Sequence, residues 1–237
     1  MPIYDIAGLR VEMSPAYPTL QRQAAAYLSP DQTAGADMTV AVSDAFLAQK
    51  QAENPHLTLD DCEYIWFGSQ FYRKLLSFDG FMLHASAVML DGRAYLFSAP
   101  SGTGKSTHTQ LWLRHFGERA AILNDDKPAL RRIGGTFFAC GTPFSGKVDL
   151  SRPCIVPLGG VCLLHRAEQN TVRRLGTAQA LPKIFNQTIR PQDGGAMDRL
   201  LSLLDGFFRS VAVFEMGCNI STEAVQTAYG AMKGEAQ

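Results

Sequence analysis

The segment LFSAPSGTGKSTHTQLW, residues 96–112, constrains the fold of this chain more than any other part of the sequence. An apolar run of strand type ends before APSGTG, and a run of helical character follows it. A connection that only turns a corner needs one or two glycines. This one has glycines on both sides of Thr103, a proline before them and KST directly after them. The composition therefore predicts a strand, a loop that surrounds a ligand, and a helix.

The loop fits the P-loop pattern, G-x-x-x-x-G-K-[ST], with Ala99 in place of the first glycine. In such a loop the backbone N–H groups point at phosphate oxygens, and the positive end of the following helix adds to the attraction. Lys105 would carry positive charge to the β- and γ-phosphates, and the Ser106 hydroxyl would bind Mg²⁺. The alternative is a tight strand-to-helix turn that binds nothing. The residues predicted to bind the nucleotide are Ala99, Pro100, Ser101, Gly102, Thr103, Gly104, Lys105, Ser106 and Thr107.

Two neighbouring acids, Asp125 and Asp126, end the apolar run of the segment AAILNDDKPAL. A strand that delivers carboxylates to its C-terminal tip is a usual way for nucleotide-dependent enzymes to hold magnesium. Two acids in an exposed loop are common in any protein, so the pair indicates a site mainly in combination with the glycine-rich loop. Together the two motifs predict binding of ATP or GTP with Mg²⁺.

A β-hairpin is predicted directly before the glycine-rich loop. The dipeptide Asp91-Gly92 separates two runs of strand type and suits a turn with positive φ at both positions. Counting outward from this turn places His84 opposite Ala99, the first residue of the loop. A lone histidine in an apolar strand is often a satisfied core residue, but this position makes His84 a candidate site residue. The remaining histidines are expected at the surface or at strand edges: His56, His108, His115 and His165.

A second hairpin is predicted around the two glycines at positions 134 and 135, between KPALRRI and TFFACGTPF. Counting outward places Asp126 opposite Pro143, so the segment GTPFSGK should return close to the two acids. Residues 141–147 contain two glycines and the charge of Lys147. They form either a second loop that contacts an anion or a structural turn, and the sequence leaves both alternatives open.

The segment LHASAVMLDGRAYLFSAPSGTGKST, followed by NDD, resembles the catalytic domain of HPr kinase/phosphorylase and its smaller relatives. That domain is similar in nucleotide-site design to the phosphoenolpyruvate carboxykinases. The resemblance runs from about Leu83 to Lys147 and more loosely to Gln187. It implies an α/β fold of the P-loop type, with a mixed, hairpin-rich sheet and flanking helices, over residues 58–237. The first eighty residues do not resemble the N-terminal domain of HPr kinase, and the short strands predicted in GLRVEM and MTVAVS indicate a small N-terminal α+β region over residues 1–57.

The resemblance implies a kinase, because HPr kinases phosphorylate a serine hydroxyl on a small protein and their short relatives phosphorylate serine on a peptide. The implied reaction is Mg²⁺-dependent transfer of the terminal phosphate of a nucleoside triphosphate to a hydroxyl of a peptide, a protein or a small molecule. The family signature for substrate docking and the reverse reaction is missing, so neither HPr as substrate nor phosphorylase activity is implied. A nucleotide-binding module without transfer and a simple NTP hydrolase are the alternatives. HPr kinases form hexamers, so the resemblance also raises a homo-oligomer as an option.

The resemblance further implies roles for individual side chains. Lys105 holds the phosphates, one acid takes the proton of the acceptor hydroxyl, and the other binds the metal. The implied order is Asp125 as the base, with Asp126 and Ser106 as metal ligands. His84 matches a family histidine that hydrogen-bonds the catalytic acid. The sequence does not choose a charge-stabilising arginine among Arg131, Arg132, Arg152, Arg173, Arg174 and Arg190.

The composition argues against several other classes of protein. Lys and Arg together number 22, as do Asp and Glu, and a dedicated nucleic-acid binder would be strongly basic. The five cysteines are odd in number and form no C-x-x-C pair, which argues against a disulfide framework and a zinc site. The first residues lack the pattern of a signal peptide, and no apolar run has the length of a membrane span. We therefore expect a cytoplasmic protein that does not bind a membrane.

Overall fold

The structure, a computed structural model, describes residues 1–146 and 148–235. It is an α/β protein with a small N-terminal sheet, a large sheet and helices that flank them. The strands are β1 (Ile3–Ile6), β2 (Leu9–Glu12), β3 (Met38–Thr39), β4 (Gly80–Met82), β5 (Ala85–Leu90), β6 (Arg93–Ser98), β7 (Ala120–Asn124), β8 (Ala129–Ile133), β9 (Thr136–Cys140), β10 (Ile155–Arg166), β11 (Thr171–Arg174) and β12 (Val213–Cys218). The α-helices are α1 (Pro18–Ala24), α2 (Asp44–Glu53), α3 (Leu59–Leu75), α4 (Lys105–Phe116), α5 (Thr177–Phe185), α6 (Gly194–Ser210) and α7 (Thr222–Met232).

The large sheet contains both parallel and antiparallel pairs. Its strand order is β4-β8-β9-β10-β6-β5-β7, and β12 pairs with β10 while β11 pairs with β12. The strand before the glycine-rich loop, β6, lies between β5, which is antiparallel to it, and β10, which is parallel to it. The prediction of a mixed, hairpin-rich sheet with flanking helices is therefore confirmed.

Both predicted hairpins are present in the predicted register. β5 pairs with β6 so that Ser86 faces Phe97, around a turn in which Asp91 and Gly92 have positive φ angles of 50° and 78°. β8 pairs with β9 around the glycines at positions 134 and 135. Turn chemistry fixes these registers locally, because a two-residue turn leaves little freedom to shift one strand against the other.

The segment FMLHASAVML differs from the prediction, because it forms two strands instead of one run. β4 pairs with β8, whereas β5 pairs with β6 and β7. Between them, the Leu83 N–H bonds to the Pro128 carbonyl (3.3 Å) and the His84 N–H to the Gln187 carbonyl (2.8 Å). These bonds to distant segments interrupt the strand and fix the backbone of His84.

The N-terminal region contains the antiparallel hairpin of β1 and β2, with the short β3 parallel to β2. β2 and β3 correspond to predicted strands, whereas β1, α1 and α2 form in segments without a predicted element. One hydrophobic cluster joins Val11 of this sheet to Phe71 of α3 and to Phe144, which follows β9. The proposed boundary between residues 57 and 58 stays a prediction.

α3 connects the N-terminal sheet to the large sheet. It begins with a capping box, in which the Thr58 hydroxyl accepts the Asp61 N–H (3.1 Å) and the Asp61 carboxylate accepts the Thr58 N–H (2.9 Å). Its buried face contacts Phe144, whose ring centroid lies 5.7 Å from that of Phe71. A Cβ at Gly68 would lie 3.0 Å from the Phe144 ring, so a glycine at this position of α3 admits the aromatic ring.

The two faces of the large sheet are covered by different helices. Leu96 packs in one cluster with residues of α5 and α6, and its neighbour Phe97 packs in another with residues of α4 and α7. Alternate residues of a strand point to opposite faces, which explains this division. Within residues 1–146 and 148–235, the helices are too short or too polar to cross a lipid bilayer.

Candidate functional site

The glycine-rich loop connects β6 to α4 and bends through two glycines with positive φ, 77° at Gly102 and 116° at Gly104. A Cβ at Gly102 would meet no atom within 4 Å, so the backbone conformation, and not a lack of space, requires glycine there. The His108 N–H donates to the Gly104 carbonyl (2.9 Å) as the first bond of the helix. The N–H groups before it have no partner within the helix, and such groups suit an anion.

Lys105 is buried, with 8% of its surface exposed, and its Nζ donates a hydrogen bond to the Ala99 carbonyl (3.0 Å). The side chain thus joins the end of the loop to its beginning. Desolvation lowers the pKa of the Lys105 ammonium, while the charges of Asp126 and Asp125 act in the opposite direction. An ammonium held beside the N–H groups at the start of α4 is well placed to meet a phosphate.

Asn124 ends β7 and shapes the turn that carries both acids. Its Oδ1 accepts the N–H groups of Asp126 (3.1 Å) and Lys127 (2.8 Å). Its Nδ2 donates to the Thr142 carbonyl (3.0 Å), and the side chain is fully buried. Asn124 has no role in the sequence-based prediction, although asparagine before a turn is a known signal for bonds of this kind.

Asp125 is bonded to β5 and to the segment before β10, and it is almost fully buried, with 7% of its surface exposed. Its Oδ1 accepts a hydrogen bond from the Ser86 hydroxyl, which lies 2.9 Å from the Thr109 hydroxyl of α4. Its N–H donates to the Leu150 carbonyl (3.1 Å). The groups that orient this carboxylate are therefore neutral hydroxyls, and both its backbone and its side chain are held.

Asp126 contacts two basic side chains. His84 Nε2 lies 3.2 Å from Asp126 Oδ1, and Lys127 Nζ is bonded to Oδ2. Burial alone would raise the pKa of this carboxyl, but the bonds and charges of His84 and Lys127 lower it to about 2. The other ring nitrogen of His84, Nδ1, lies 3.1 Å from Gln187 Oε1. Asp126 is therefore ionised at neutral pH.

The pairing of His84 with Asp126 differs from the predicted pairing with Asp125. The Ala85 N–H donates to the Asp126 carbonyl (3.1 Å), and this bond brings the preceding residue, His84, within reach of the Asp126 carboxylate. Asp125, one residue earlier, meets the hydroxyl of Ser86 instead. The residue count along the hairpin placed His84 beside the glycine-rich loop. It did not include the turn after Asn124, and the shape of this turn determines which of the two acids contacts His84.

The glycine-rich loop and the two acids line the same cleft, which has a volume of 860 Å³. The glycine-rich loop contributes Ser101 and Ser106, and the turn after β7 contributes both acids. The N-terminal half of the chain forms the opposite wall, with Arg22 of α1 and Tyr64 of α3. The cleft therefore joins the two predicted motifs to a region that carries no motif.

Arg22 is a lining residue that the sequence does not reveal. Arg22 Nε lies 3.3 Å from Asp149 Oδ2 at the edge of the cleft. Two of the arginines considered from the sequence are engaged elsewhere: Arg131 Nη1 donates to the Ala7 carbonyl (2.8 Å), and Arg173 pairs with Glu215. Only the three-dimensional packing of α1 against α3 brings Arg22 to the site.

The donor set of the cleft fits Mg²⁺ in a nucleotide complex. Mg²⁺ in such sites takes one or two carboxylates, phosphate oxygens and water. The carboxylates of Asp125 and Asp126 and the exposed hydroxyl of Ser106 line the same cleft and meet this requirement. In the part of the chain that the structure describes, no group of three or more His, Cys, Asp and Glu side chains forms a metal site by itself.

The loop after β9 approaches the acids, as the second hairpin predicted. A Cβ at Gly146 would lie 2.9 Å from Asp126 Cβ, and the Gly146 N–H donates to the Tyr64 hydroxyl (2.8 Å). A Cβ at Gly141 would lie 1.8 Å from the Arg152 carbonyl oxygen, so this glycine is required by packing. Lys147, the charge that favoured an anion-binding loop, lies outside the described residues.

Replacing Gly141 by alanine is expected to lower the free energy of unfolding by about 3 kcal/mol, because the added methyl group must displace the backbone at Arg152. Chemical denaturation measures this change. Gly35→Ala is the matched control, since a Cβ there meets no atom within 4 Å, and it should leave stability almost unchanged. Equal stability of the two variants would contradict the packing role of Gly141.

The four remaining histidines have other surroundings than His84, which contacts Asp126. His115 and His165 are exposed, as predicted, and so is His56, which lines the cleft. His108 was expected at the surface, and this expectation is wrong, since 3% of its surface is exposed. Its ring packs 4.5 Å from that of Phe97, because helix α4 turns this face toward the sheet.

Comparison with known proteins gives distant similarity to solved structures alone. No protein-family model matches the chain, and no curated protein matches it. Among solved structures, the chain is similar to the Hpr(Ser) kinase/phosphatase from Coxiella burnetii, with a TM-score of 0.37 and 10% sequence identity. This match covers 62% of the chain and 91% of that protein. A likeness this distant carries no functional argument.

Proposed function

We propose that this protein is an Mg²⁺-dependent kinase that transfers the terminal phosphate of a nucleoside triphosphate to a hydroxyl group. One observation supports this proposal above others: the carboxylates of Asp125 and Asp126 line the same cleft as Ser101 and Ser106 of a glycine-rich loop whose lysine is buried. A loop that only connected a strand to a helix would need neither the buried ammonium nor the acids. Phosphoryl transfer depends on positioning and charge stabilisation, for which these groups are suited.

The phosphates of the nucleotide lie in residues 99–107. The unpaired N–H groups at the start of α4 bind phosphate oxygens, and Lys105 supplies a positive charge that burial has already separated from water. The contact from Lys105 to the Ala99 carbonyl holds the loop in its open, curved form. The loop is therefore organised before the nucleotide arrives, which limits the entropy lost on binding.

Asp125 and Ser106 are the residues best placed to hold Mg²⁺. Asp125 is oriented by the neutral Ser86 hydroxyl, whereas the charge of Asp126 is paired with that of Lys127, and its Oδ1 contacts His84 Nε2. A cation is attracted most strongly by a carboxylate whose charge is not already paired. When bound, Mg²⁺ neutralises negative charge on the phosphates and orients them for transfer.

Asp126 is the better placed proton acceptor. Its Oδ1 contacts His84 Nε2, and Gln187 fixes the opposite edge of the imidazole ring. This arrangement holds the Asp126 carboxylate in one orientation. The orientation of the base matters more than its basicity, because the acceptor hydroxyl loses its proton late in phosphoryl transfer. The order of base and metal ligand is thus the reverse of the one that the family resemblance implied.

The acceptor hydroxyl enters from the side of the cleft formed by α1 and α3. Arg22 and Tyr64 line this wall, and Ile65 adds an exposed apolar surface. The wall combines a cation, a phenol and an apolar side chain, so a serine-bearing peptide, a protein segment or a small polar molecule would each find contacts there. The substrate class thus remains a hydroxyl acceptor of one of these three kinds.

A transfer screen tests this function. The protein is incubated with Mg²⁺ and γ-labelled ATP or GTP, together with serine-containing peptides and small hydroxyl compounds. The expected result is label on a hydroxyl of at least one acceptor. Release of free phosphate without any labelled acceptor would indicate a hydrolase, and nucleotide binding without either product would indicate a binding module.

A further inference from the structure

A second cleft lies on the other side of the glycine-rich loop. This groove has a volume of 650 Å³ and is formed by the first turns of α4, the end of β10 and the connection from β12 to α7. Its lining includes Thr107, Leu111, Arg166 and Ile220. We refer to it as the α4–α7 groove.

The loop separates the α4–α7 groove from the cleft with the acids. Ser101 and Ser106 face the acidic cleft, whereas Gly104 and Thr107 face the groove. A triphosphate that follows the loop with its last phosphate at the acids must leave the loop at its other end. The α4–α7 groove is the cleft that begins there.

The lining of the groove suits a flat organic group next to a phosphate chain. Leu111 is half-buried, and Ile220 exposes 78% of its surface, which is unusual for isoleucine. The Arg166 guanidinium donates to the Gly102 carbonyl (2.7 Å) and the Thr103 carbonyl (3.3 Å), so it is held at the rim of the loop. Ligand sites generally combine apolar walls with a few fixed polar groups of this kind.

A buried hydrogen-bond donor also borders the groove. The Trp112 indole N–H donates to His108 Nε2 (3.1 Å), so this nitrogen carries no proton. Burial lowers the pKa of His108 to about 4, and the neutral ring therefore has its proton on Nδ1. This Nδ1 is buried and has no partner among the described residues, although His108 lines the groove. Unsatisfied buried donors are rare in native proteins and point to a missing acceptor.

Resting on the proposed function, we propose that the α4–α7 groove holds the nucleoside of the triphosphate whose phosphates lie in the glycine-rich loop. The base packs against Leu111 and Ile220, Arg166 lies beside the phosphate nearest the ribose, and an acceptor atom of the nucleoside accepts a hydrogen bond from the N–H at His108 Nδ1. The groove thereby distinguishes a nucleotide from a bare polyphosphate.

A competing location is the 570 Å³ cleft beside Pro100. Its lining includes Lys183 and Glu215, whose side chains form an ion pair of 2.9 Å. A base placed there would have to displace or cover this ion pair, which is costly to desolvate. The α4–α7 groove presents no such acid among its lining residues.

The test compares ATP with inorganic tripolyphosphate, which has the phosphates and no nucleoside. Isothermal titration with Mg²⁺ measures both affinities for the wild type, Ile220→Ala and the control Leu201→Ala, which removes another exposed side chain on α6. The wild type should bind ATP more tightly than tripolyphosphate. Ile220→Ala should weaken ATP binding five- to tenfold and change tripolyphosphate binding less than twofold, and Leu201→Ala should change neither.

Equal affinity of the wild type for ATP and tripolyphosphate would overturn the nucleoside site, and so would an Ile220→Ala variant that binds ATP normally. Photolabelling with 8-azido-ATP gives an independent readout. Modification within residues 105–116 or 219–222 supports the groove, whereas modification at Lys183 places the base in the competing cleft. If neither ATP nor tripolyphosphate binds, the proposed function itself has failed, a result distinct from all of these.

Discussion

Replacing Asp126 by asparagine is expected to slow phosphate transfer by about 10³-fold, which corresponds to about 4 kcal/mol of activation free energy. The amide cannot take a proton from the acceptor, and it loses the charge that holds His84 Nε2 at 3.2 Å. ATP affinity should stay the same or rise, because a negative charge near the phosphates is removed. Transfer to an acceptor found in the screen and ATP titration measure the two effects separately.

The control for this variant is Asp79→Asn. Asp79 has positive φ (54°), which asparagine tolerates, and it lies outside the cleft in a pair with Arg132. Its transfer rate should equal that of the wild type. An active Asp126→Asn variant would contradict the role of Asp126 as the base and would leave Asp125, the base that the family resemblance implied. Normal transfer by both Asp126→Asn and Asp125→Asn would contradict a role for the acids altogether.

Replacing Lys105 by alanine is expected to weaken ATP binding by about 100-fold, or about 3 kcal/mol. The lysine is the buried cation of the loop, and its loss leaves a phosphate charge without its partner in a partly desolvated place. The loss of the contact to the Ala99 carbonyl should also loosen the loop. Titration with ATP and with tripolyphosphate should show the same weakening, because Lys105 contacts phosphates in both.

Lys183→Ala is the matched control for Lys105→Ala. Lys183 borders the neighbouring cleft beside Pro100 and pairs with Glu215. Its replacement should leave ATP binding within about twofold of the wild type. The melting temperature without ligand shows that both variants are folded. Retained ATP binding by a folded Lys105→Ala variant, or an equal loss in Lys183→Ala, would contradict the placement of the phosphates.

Elements fixed by local chemistry could be predicted from the sequence. The Asp91-Gly92 turn sets the register of β5 and β6, and the glycines around Thr103 set the bend before α4. The interruption of the strand at His84 could not be predicted, because it depends on a backbone bond to Gln187, far along the chain. Local patterns do not contain such bonds.

The candidate site was predictable only where its residues belong to a motif. Lys105 and the two acids stand in recognisable patterns, although their roles stay predictions. Tyr64 reaches the cleft because Phe144 packs against α3, and Arg22 reaches it because α1 packs against α3; both contacts join residues distant in sequence. Which acid contacts His84 depends on the bonds from the Asn124 side chain to the turn that follows it. Counting residues along paired strands does not predict such bonds.

The central claim is that the terminal phosphate, Mg²⁺ and the acids meet in one place beside the glycine-rich loop. The most direct measurement is the gain in ATP affinity on adding Mg²⁺, determined by titration for the wild type and for Asp125→Asn. We predict a gain of at least about tenfold for the wild type and of less than about twofold for the variant. The same gain in both proteins, or none in the wild type, would contradict the claim.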